Sequence, residues 1–170
     1  MSETHWSKAV LGAAARIELL VLDVDGVMTD GRLVYDADGR EAKVFNVRDG
    51  YGIKALQAAG VRVAVISGRK SRPVSVRMAE LGIEQVILGR DDKLAALEEL
   101  IAQLGIASLT QVAYVGDDLP DLPAIEAAGL GLTVADGRAE LRTAAAGITQ
   151  CRGGQGAVRE VCDLLLAARQ

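Results

Sequence analysis

Five short runs rich in branched aliphatic residues recur along the chain, at 17–22, 61–66, 84–89, 110–115 and 131–134. Each is brief and is followed within two residues by glycine or an acid, the mark of strands buried on both faces of a sheet and bounded by turns. Helix start and stop residues lie between them. A helix over 53–59 is stopped by Gly60, and one over 73–81 has Pro73 near its start and Gly82 past its end. Others open at Asp91-Asp92-Lys93, end near 128, cover 138–146 and run out near 168, and a short amphipathic helix over 7–15 precedes the first strand. This alternation predicts an α/β fold, a three-layer Rossmann-like parallel sheet in a single domain over 1–170. Two segments depart from it. Residues 32–35 and 41–46 flank Asp36-Ala37-Asp38-Gly39 and predict a β-hairpin over about 31–46, whose apolar edge calls for cover by another subunit. Residues 151–156 carry three glycines and predict a flexible tail over 151–170, either a linker before a packing helix or an arginine-bearing lid.

The polar residues that close these strands carry the chemistry. Buried strands do not normally end in acids, yet the first runs into Asp23-Val24-Asp25-Gly26. A period of two sets Asp23 and Asp25 on one side, at the carboxyl end of the strand, where open α/β sheets bind ligands. Two ionised carboxylates in a dry interior demand a neutralising partner. One can attack phosphorus, the other can move protons, and a hard cation between them offsets their repulsion. The plain alternative is an acidic turn. The fourth strand repeats the pattern with Gly116-Asp117-Asp118-Leu119-Pro120-Asp121, so Asp117 can complete an oxygen-rich magnesium site with Asp23 and the backbone carbonyl of Asp25. Asp121 can simply cap the next helix.

Ser67-Gly68-Arg69 closes the second strand, and its hydroxyl and backbone N–H groups can hold a phosphate oxygen, although Ser-Gly is also a common turn. Asp91 and Asp92 complement a helix dipole, whereas Lys93 opposes it, which points to a charge meant for phosphate and for shielding the Asp pair. Arg69 and Arg77 fall near the mouth of the site, with planar forks suited to phosphate and carboxylate. Arg48 and Asp49 read either as a helix-start pair or as a substrate contact.

Composition narrows the field. In 170 residues, half of them hydrophobic but only 3% aromatic, the core must be aliphatic. No apolar run of about 20 residues appears, so no membrane span is expected, and the polar start argues against a secretory signal and for the cytoplasm. A net charge of −4 argues against nucleic acid as a partner. Cys151 and Cys162 fit no zinc or CxxC spacing and read as reduced thiols. The single histidine, His5, excludes paired-histidine mechanisms and leaves no Ser-His-Asp triad. Neither a P-loop nor GxGxxG occurs.

Asp23-Val24-Asp25-Gly26-Val27-Met28-Thr29 resembles the DxDGxxT motif of the haloacid-dehalogenase-like (HAD) phosphatase superfamily. Ser67, Lys93 and Gly116-Asp117-Asp118 with Asp121 follow in that superfamily's order across nearly the whole chain. The resemblance implies an HAD-like fold with Asp23 as nucleophile, Asp25 as general acid and base, Ser67 and Lys93 on the transferring phosphoryl group, and magnesium on Asp23, Asp25 and Asp117. Thr29, Gly68 and Asp118 join the implied substrate contacts. The hairpin stands where many members insert a cap domain. With Arg152-Gly153-Gly154-Gln155-Gly156-Ala157-Val158-Arg159-Glu160 it narrows the resemblance to the capless members of lipopolysaccharide synthesis. That branch implies hydrolysis of 3-deoxy-D-manno-octulosonate 8-phosphate by a homotetramer in which hairpins assemble and each tail reaches toward a neighbouring site. By it Arg69 and Arg77 become substrate contacts, and Arg48 meets substrate across a subunit boundary. Gly89-Arg90-Asp91-Asp92 departs from the Gln-Gly form of the branch. The rival readings are a phosphatase for a nine-carbon sugar acid, a receiver-like module that stores an aspartyl phosphate, and a scaffold without turnover.

Overall fold

Leu19–Leu22 (β1) lies at the middle of a six-stranded, wholly parallel sheet in the computed structural model, which describes residues 5–169. Residues 1–4 and 170 of the expected domain, including the first half of the polar start, lie outside the described residues. The strand order is Gln85–Leu88 (β5), Arg62–Ser67 (β4), β1, Val112–Gly116 (β6), Leu130–Thr133 (β7) and Gly147–Ile148 (β8). Leu19 pairs with Arg62 on one side and Val112 on the other. The last strand, β8, has two residues and was not expected, since so short a strand leaves no periodic trace.

Alternation along β1 divides the core in two. Leu20 and Leu22 enter one cluster with Lys8–Ala14 (α1), Val47–Ala58 (α2), Arg72–Leu81 (α3) and Ala157–Ala167 (α7). Leu19 and Val21 enter the other with Lys93–Leu104 (α4), Leu122–Ala127 (α5) and Ala139–Ala144 (α6). All four β1 residues are fully buried. Each such side chain contributes about 1.5–3 kcal/mol, which is why an unbroken aliphatic run sits here. The result is the expected three-layer α/β architecture.

Helix α2 begins six residues before the expected start at 53. The Asn46 side chain caps it, accepting from the Arg48 N–H at 2.9 Å. Gly50 and Gly52 look like breakers in the sequence, and each costs about 1 kcal/mol relative to alanine in a helix. Tertiary packing overrides that cost. A Cβ on Gly52 would lie 2.9 Å from Arg159 Cδ and 3.1 Å from Cys162 Cβ, so glycine lets α2 and α7 approach closely.

The hairpin is smaller than expected, with Val34–Tyr35 (β2) paired antiparallel to Glu41–Ala42 (β3). It leaves Val34, Tyr35 and Val44 exposed, and Val47 and Tyr51 of α2 are exposed as well. The glycine-rich segment makes hydrogen bonds to the body of the fold. The Gly154 N–H donates to the Val27 carbonyl at 2.9 Å, the Gly153 N–H to Asp136 Oδ1 at 3.0 Å, and Asn46 Nδ2 to the Gly154 carbonyl at 3.2 Å. Backbone N–H groups that sequence patterns leave unassigned find partners across the fold.

Candidate active site

Strand ends deliver the polar residues to one edge of the sheet. Asp23 extends β1, its N–H donating to the Val115 carbonyl at 3.0 Å. The chain then turns at Gly26, where φ is 87°, a left-handed conformation that glycine adopts without strain. A Cβ there would fall 2.0 Å from Asp117 Oδ2, so glycine also lets the two acidic loops meet. Thr29, expected to contact substrate, is buried inside this turn. Its hydroxyl accepts from the Gly26 and Gly31 N–H groups at 3.4 and 3.2 Å and donates to the Val24 carbonyl at 3.5 Å. It braces the loop rather than facing the site.

A cavity of about 330 Å³ is lined by Asp23, Asp25, Ser67, Gly68, Arg69, Lys93, Asp117 and Asp118. Arg48 and Arg77 do not line it. Arg48 opens onto a second cavity beside His5 and Arg159. Arg77 faces a groove behind the hairpin with Phe45 and Glu80, and its Nη1 lies 3.2 Å from Glu80 Oε2. Asp118 does double duty, since its Oδ1 accepts from the Leu119 N–H at 2.7 Å and starts the tight turn Leu119–Asp121.

The buried Lys93 ammonium sits 2.9 Å from Asp23 Oδ1 and 2.6 Å from Asp121 Oδ1. Asp121, read from sequence as a helix cap, accepts from the Asp117 and Asp118 N–H groups and also from Lys93 and the buried Tyr114 hydroxyl, the last at 2.8 Å. Tyr114 was missed, although a phenol in an aliphatic strand is a usable sign because a buried hydroxyl needs a partner. Lys43 was missed too. Its Nζ lies 2.5 Å from Asp25 Oδ1 and 3.1 Å from Glu41 Oε1. The period of two that sets Glu41 and Lys43 on one face of the hairpin was the available sign.

Electrostatics follow from this crowding. Burial raises the Asp23 carboxyl to about 6, with Asp121 adding to the rise and Lys93 opposing it. Burial raises Asp117 to about 8, reinforced by the charges of Asp23 and Asp121. Burial pulls the Lys93 ammonium down, but Asp23 and Asp121 together outweigh it and hold it above its ordinary value. Burial and the neighbouring Asp121 push the Tyr114 phenol far up, so it remains a donor.

Carboxylate oxygens of Asp23, Asp117 and Asp121 lie within 4.8 Å of one another. Asp121 is already saturated by hydrogen bonds, which leaves Asp23 and Asp117 as the pair with oxygens open to a cation. An all-oxygen donor set under this mutual repulsion fits a hard divalent cation.

Residues 51–129 match the family model of the haloacid dehalogenase-like hydrolases. The chain is 48% identical, over 96% of its length and 86% of the relative's, to 3-deoxy-D-manno-octulosonate 8-phosphate phosphatase of Escherichia coli. Its fold superposes with a TM-score of 0.92 on the phosphatase of the same name from Moraxella catarrhalis, solved with magnesium, phosphate and 3-deoxy-D-manno-octulosonate. That pair is 47% identical and covers 94% of this chain and 91% of the other. A probable YrbI-family phosphatase from Pseudomonas syringae superposes with a TM-score of 0.94 at 51% identity, covering 96% and 92% of the two chains.

Proposed function

The chain belongs to the haloacid dehalogenase-like hydrolases, in the branch of the 3-deoxy-D-manno-octulosonate 8-phosphate phosphatases, and on that footing we propose that it hydrolyses this sugar-acid phosphate to the free sugar acid and phosphate. The observation that carries the chemistry is that Asp23 and Asp25 line one cavity together with a buried lysine, Lys93, paired to Asp23 at 2.9 Å. A magnesium ion held by Asp23, Asp117 and the backbone of Asp25 supplies charge stabilisation for the phosphoryl oxygens and orients the ester.

The chain's own residues perform the rest. Lys93 neutralises part of the Asp23 charge and lets the dianionic phosphate approach. Lys93 and the Ser67 hydroxyl hold the phosphoryl oxygens as charge moves onto them. An Asp23 carboxylate oxygen attacks phosphorus, the bond from phosphorus to the sugar oxygen breaks, and Asp25 delivers a proton to that oxygen. Asp25 then takes a proton from water, whose oxygen attacks phosphorus and returns Asp23 to its carboxylate form. Gly68, Arg69 and Asp118 line the same cavity and are the residues assigned to the sugar acid. A phospho-storing receiver has no use for a second carboxylate positioned to activate water, so Asp25 also speaks against that alternative.

Homotetramer formation is part of the same reading. The exposed apolar residues of the hairpin and the start of α2 then meet those of another copy, and Arg48 reaches a neighbour's cavity rather than its own.

The test is phosphate release from a panel of sugar and sugar-acid phosphates, with magnesium and with chelator. Preference for the eight-carbon ester, lost with chelator, is expected, and so is complete loss of turnover in a folded Asp23→Asn variant. A folded Asp23→Asn protein with near-normal turnover would sink the mechanism, and preference for a nine-carbon ester would replace the substrate.

A further inference from the structure

A side chain carrying a full charge is seldom buried without a reason, because desolvating an ammonium costs several kcal/mol unless partners restore what water gave. The Lys43 side chain is 1% exposed. It sits just past β3, at the base of the hairpin, and reaches Asp25 Oδ1 at 2.5 Å and Glu41 Oε1 at 3.1 Å. Glu41 is itself fastened to the loop after β4. Its Oε1 accepts from Arg69 Nη2 at 3.0 Å and its Oε2 from the Ser71 hydroxyl at 2.6 Å. Arg69 Nη2 also donates to the Tyr35 hydroxyl at 3.0 Å. A continuous chain of charge-assisted bonds thus runs from Tyr35 through Arg69, Glu41 and Lys43 to Asp25.

This chain reaches the second carboxylate of the site through Lys43, as Lys93 reaches the first. Among the described residues Asp25 Oδ2 takes no hydrogen bond, so the grip on Oδ1 leaves one defined oxygen for the cavity. Resting on the phosphatase reading above, we propose that Lys43 is a positioning residue for Asp25. It fixes the carboxylate so that Oδ2 faces the leaving oxygen in the first step and the attacking water in the second, and Glu41 ties that alignment to the hairpin. The hairpin is then part of the catalytic apparatus of its own subunit as well as an edge available for assembly. Alignment matters here because proton transfer by a well-placed group is worth about 100-fold or more, and a misplaced one forfeits it.

The experiment compares the wild type with Lys43→Met, Lys43→Arg and Asp25→Asn on two esters. One is the sugar-acid phosphate, whose alkoxide leaving group needs a proton. The other is p-nitrophenyl phosphate, whose phenolate leaves without one. In Lys43→Met, kcat for the sugar-acid ester should fall about 100-fold with KM nearly unchanged. With p-nitrophenyl phosphate the same variant should give a burst of about one nitrophenolate per site followed by slow turnover, because only the water step still needs Asp25. Lys43→Arg should recover part of kcat. Adding Lys43→Met to Asp25→Asn should cost little more, since the two act as a unit.

A Lys43→Met protein that loses melting temperature but keeps kcat, or slows both esters equally without a burst, would overturn the proposal and leave Lys43 as a staple. Should Lys43→Met fail to fold, Glu41→Gln carries the test. Loosening Lys43 in that way must slow the water step several-fold with the same burst, and wild-type turnover there would also overturn the proposal. A wild type that releases no phosphate from any ester would instead remove the phosphatase reading, a distinct result.

Discussion

Asp117 shows how a single carboxyl in this site records both burial and company. Its value of about 8 lies well above the ordinary 3.8, so the folded metal-free protein binds a proton that the unfolded chain releases. The stability it contributes is therefore full below about pH 4 and is lost as pH rises toward 8. A cation between Asp23 and Asp117 favours the charged form of both and so opposes the rise that burial causes. In chelator the melting temperature should fall between pH 5 and pH 8.5, and magnesium should flatten that slope. At 100 times its dissociation constant the ion adds about 2.7 kcal/mol. Asp117→Asn should raise the melting temperature in chelator at pH 8 and abolish the upward shift with magnesium. Thermal melts over pH with and without the ion check both, and a magnesium shift that survives in the variant would count against Asp117 as a ligand. The legibility of the site divides along the same scale. Asp23, Asp25 and Asp117 stand out because acids at the ends of aliphatic strands break a pattern. Lys93 stands out because it opposes a helix dipole. The roles of Lys43 and Thr29 were harder to read, since the alternation that pairs Lys43 with Glu41 does not show that a tertiary contact buries it, and the motif threonine serves its own turn.

Among the elements, α2 and α7 form a paired unit whose lock is another buried acid. Asp49 Oδ1 accepts from the Arg159 N–H at 2.8 Å at the start of α7, while its Oδ2 is buried without a partner. Burial lifts Asp49 to about 6, with the Arg159 N–H and the charges of Arg159 and Arg77 acting against the rise. The folded value is raised, so the stability tied to its protonated form is full below about 3.8 and is lost as pH climbs through 6. An Asn at this position keeps the acceptor and does not titrate. Asp49→Asn should match the wild type near pH 4 and exceed it by about 2 kcal/mol at pH 8, read by urea denaturation at each pH. A constant difference across that range would show that Asp49 does not titrate between the two states. The sheet strands were legible as elements because burial on both faces demands unbroken aliphatic runs. The first turns of α2 were not, because the two glycines acquire their purpose only from α3 and α7, which follow much later in the chain.

At the scale of the whole molecule, Val34, Tyr35, Val44, Val47 and Tyr51 are all exposed within one short stretch of chain, the hairpin and the start of α2, a concentration of apolar surface that calls for cover. Light scattering on the purified protein should give a tetramer. Val44→Asp together with Val47→Asp should yield smaller species with a raised KM for the sugar-acid ester, since Arg48 would no longer reach a partner's cavity. A monomer with unchanged KM would show that each cavity is complete by itself. The central placement of β1 has one more consequence, which concerns time. The strand that carries Asp23 and Asp25 is among the first to be synthesised, yet its two neighbours in the sheet begin at Arg62 and Val112. Lys93 and Asp121, which settle the charge around Asp23, come later than the first of these neighbours. During synthesis the acidic loop must therefore wait in solvent, its carboxylates hydrated and ready for stray cations, until about two-thirds of the chain has been made. Contacts so distant in sequence slow the final closure. On the ribosome, the ability to retain magnesium should then arise abruptly, only after β6 has left the exit tunnel.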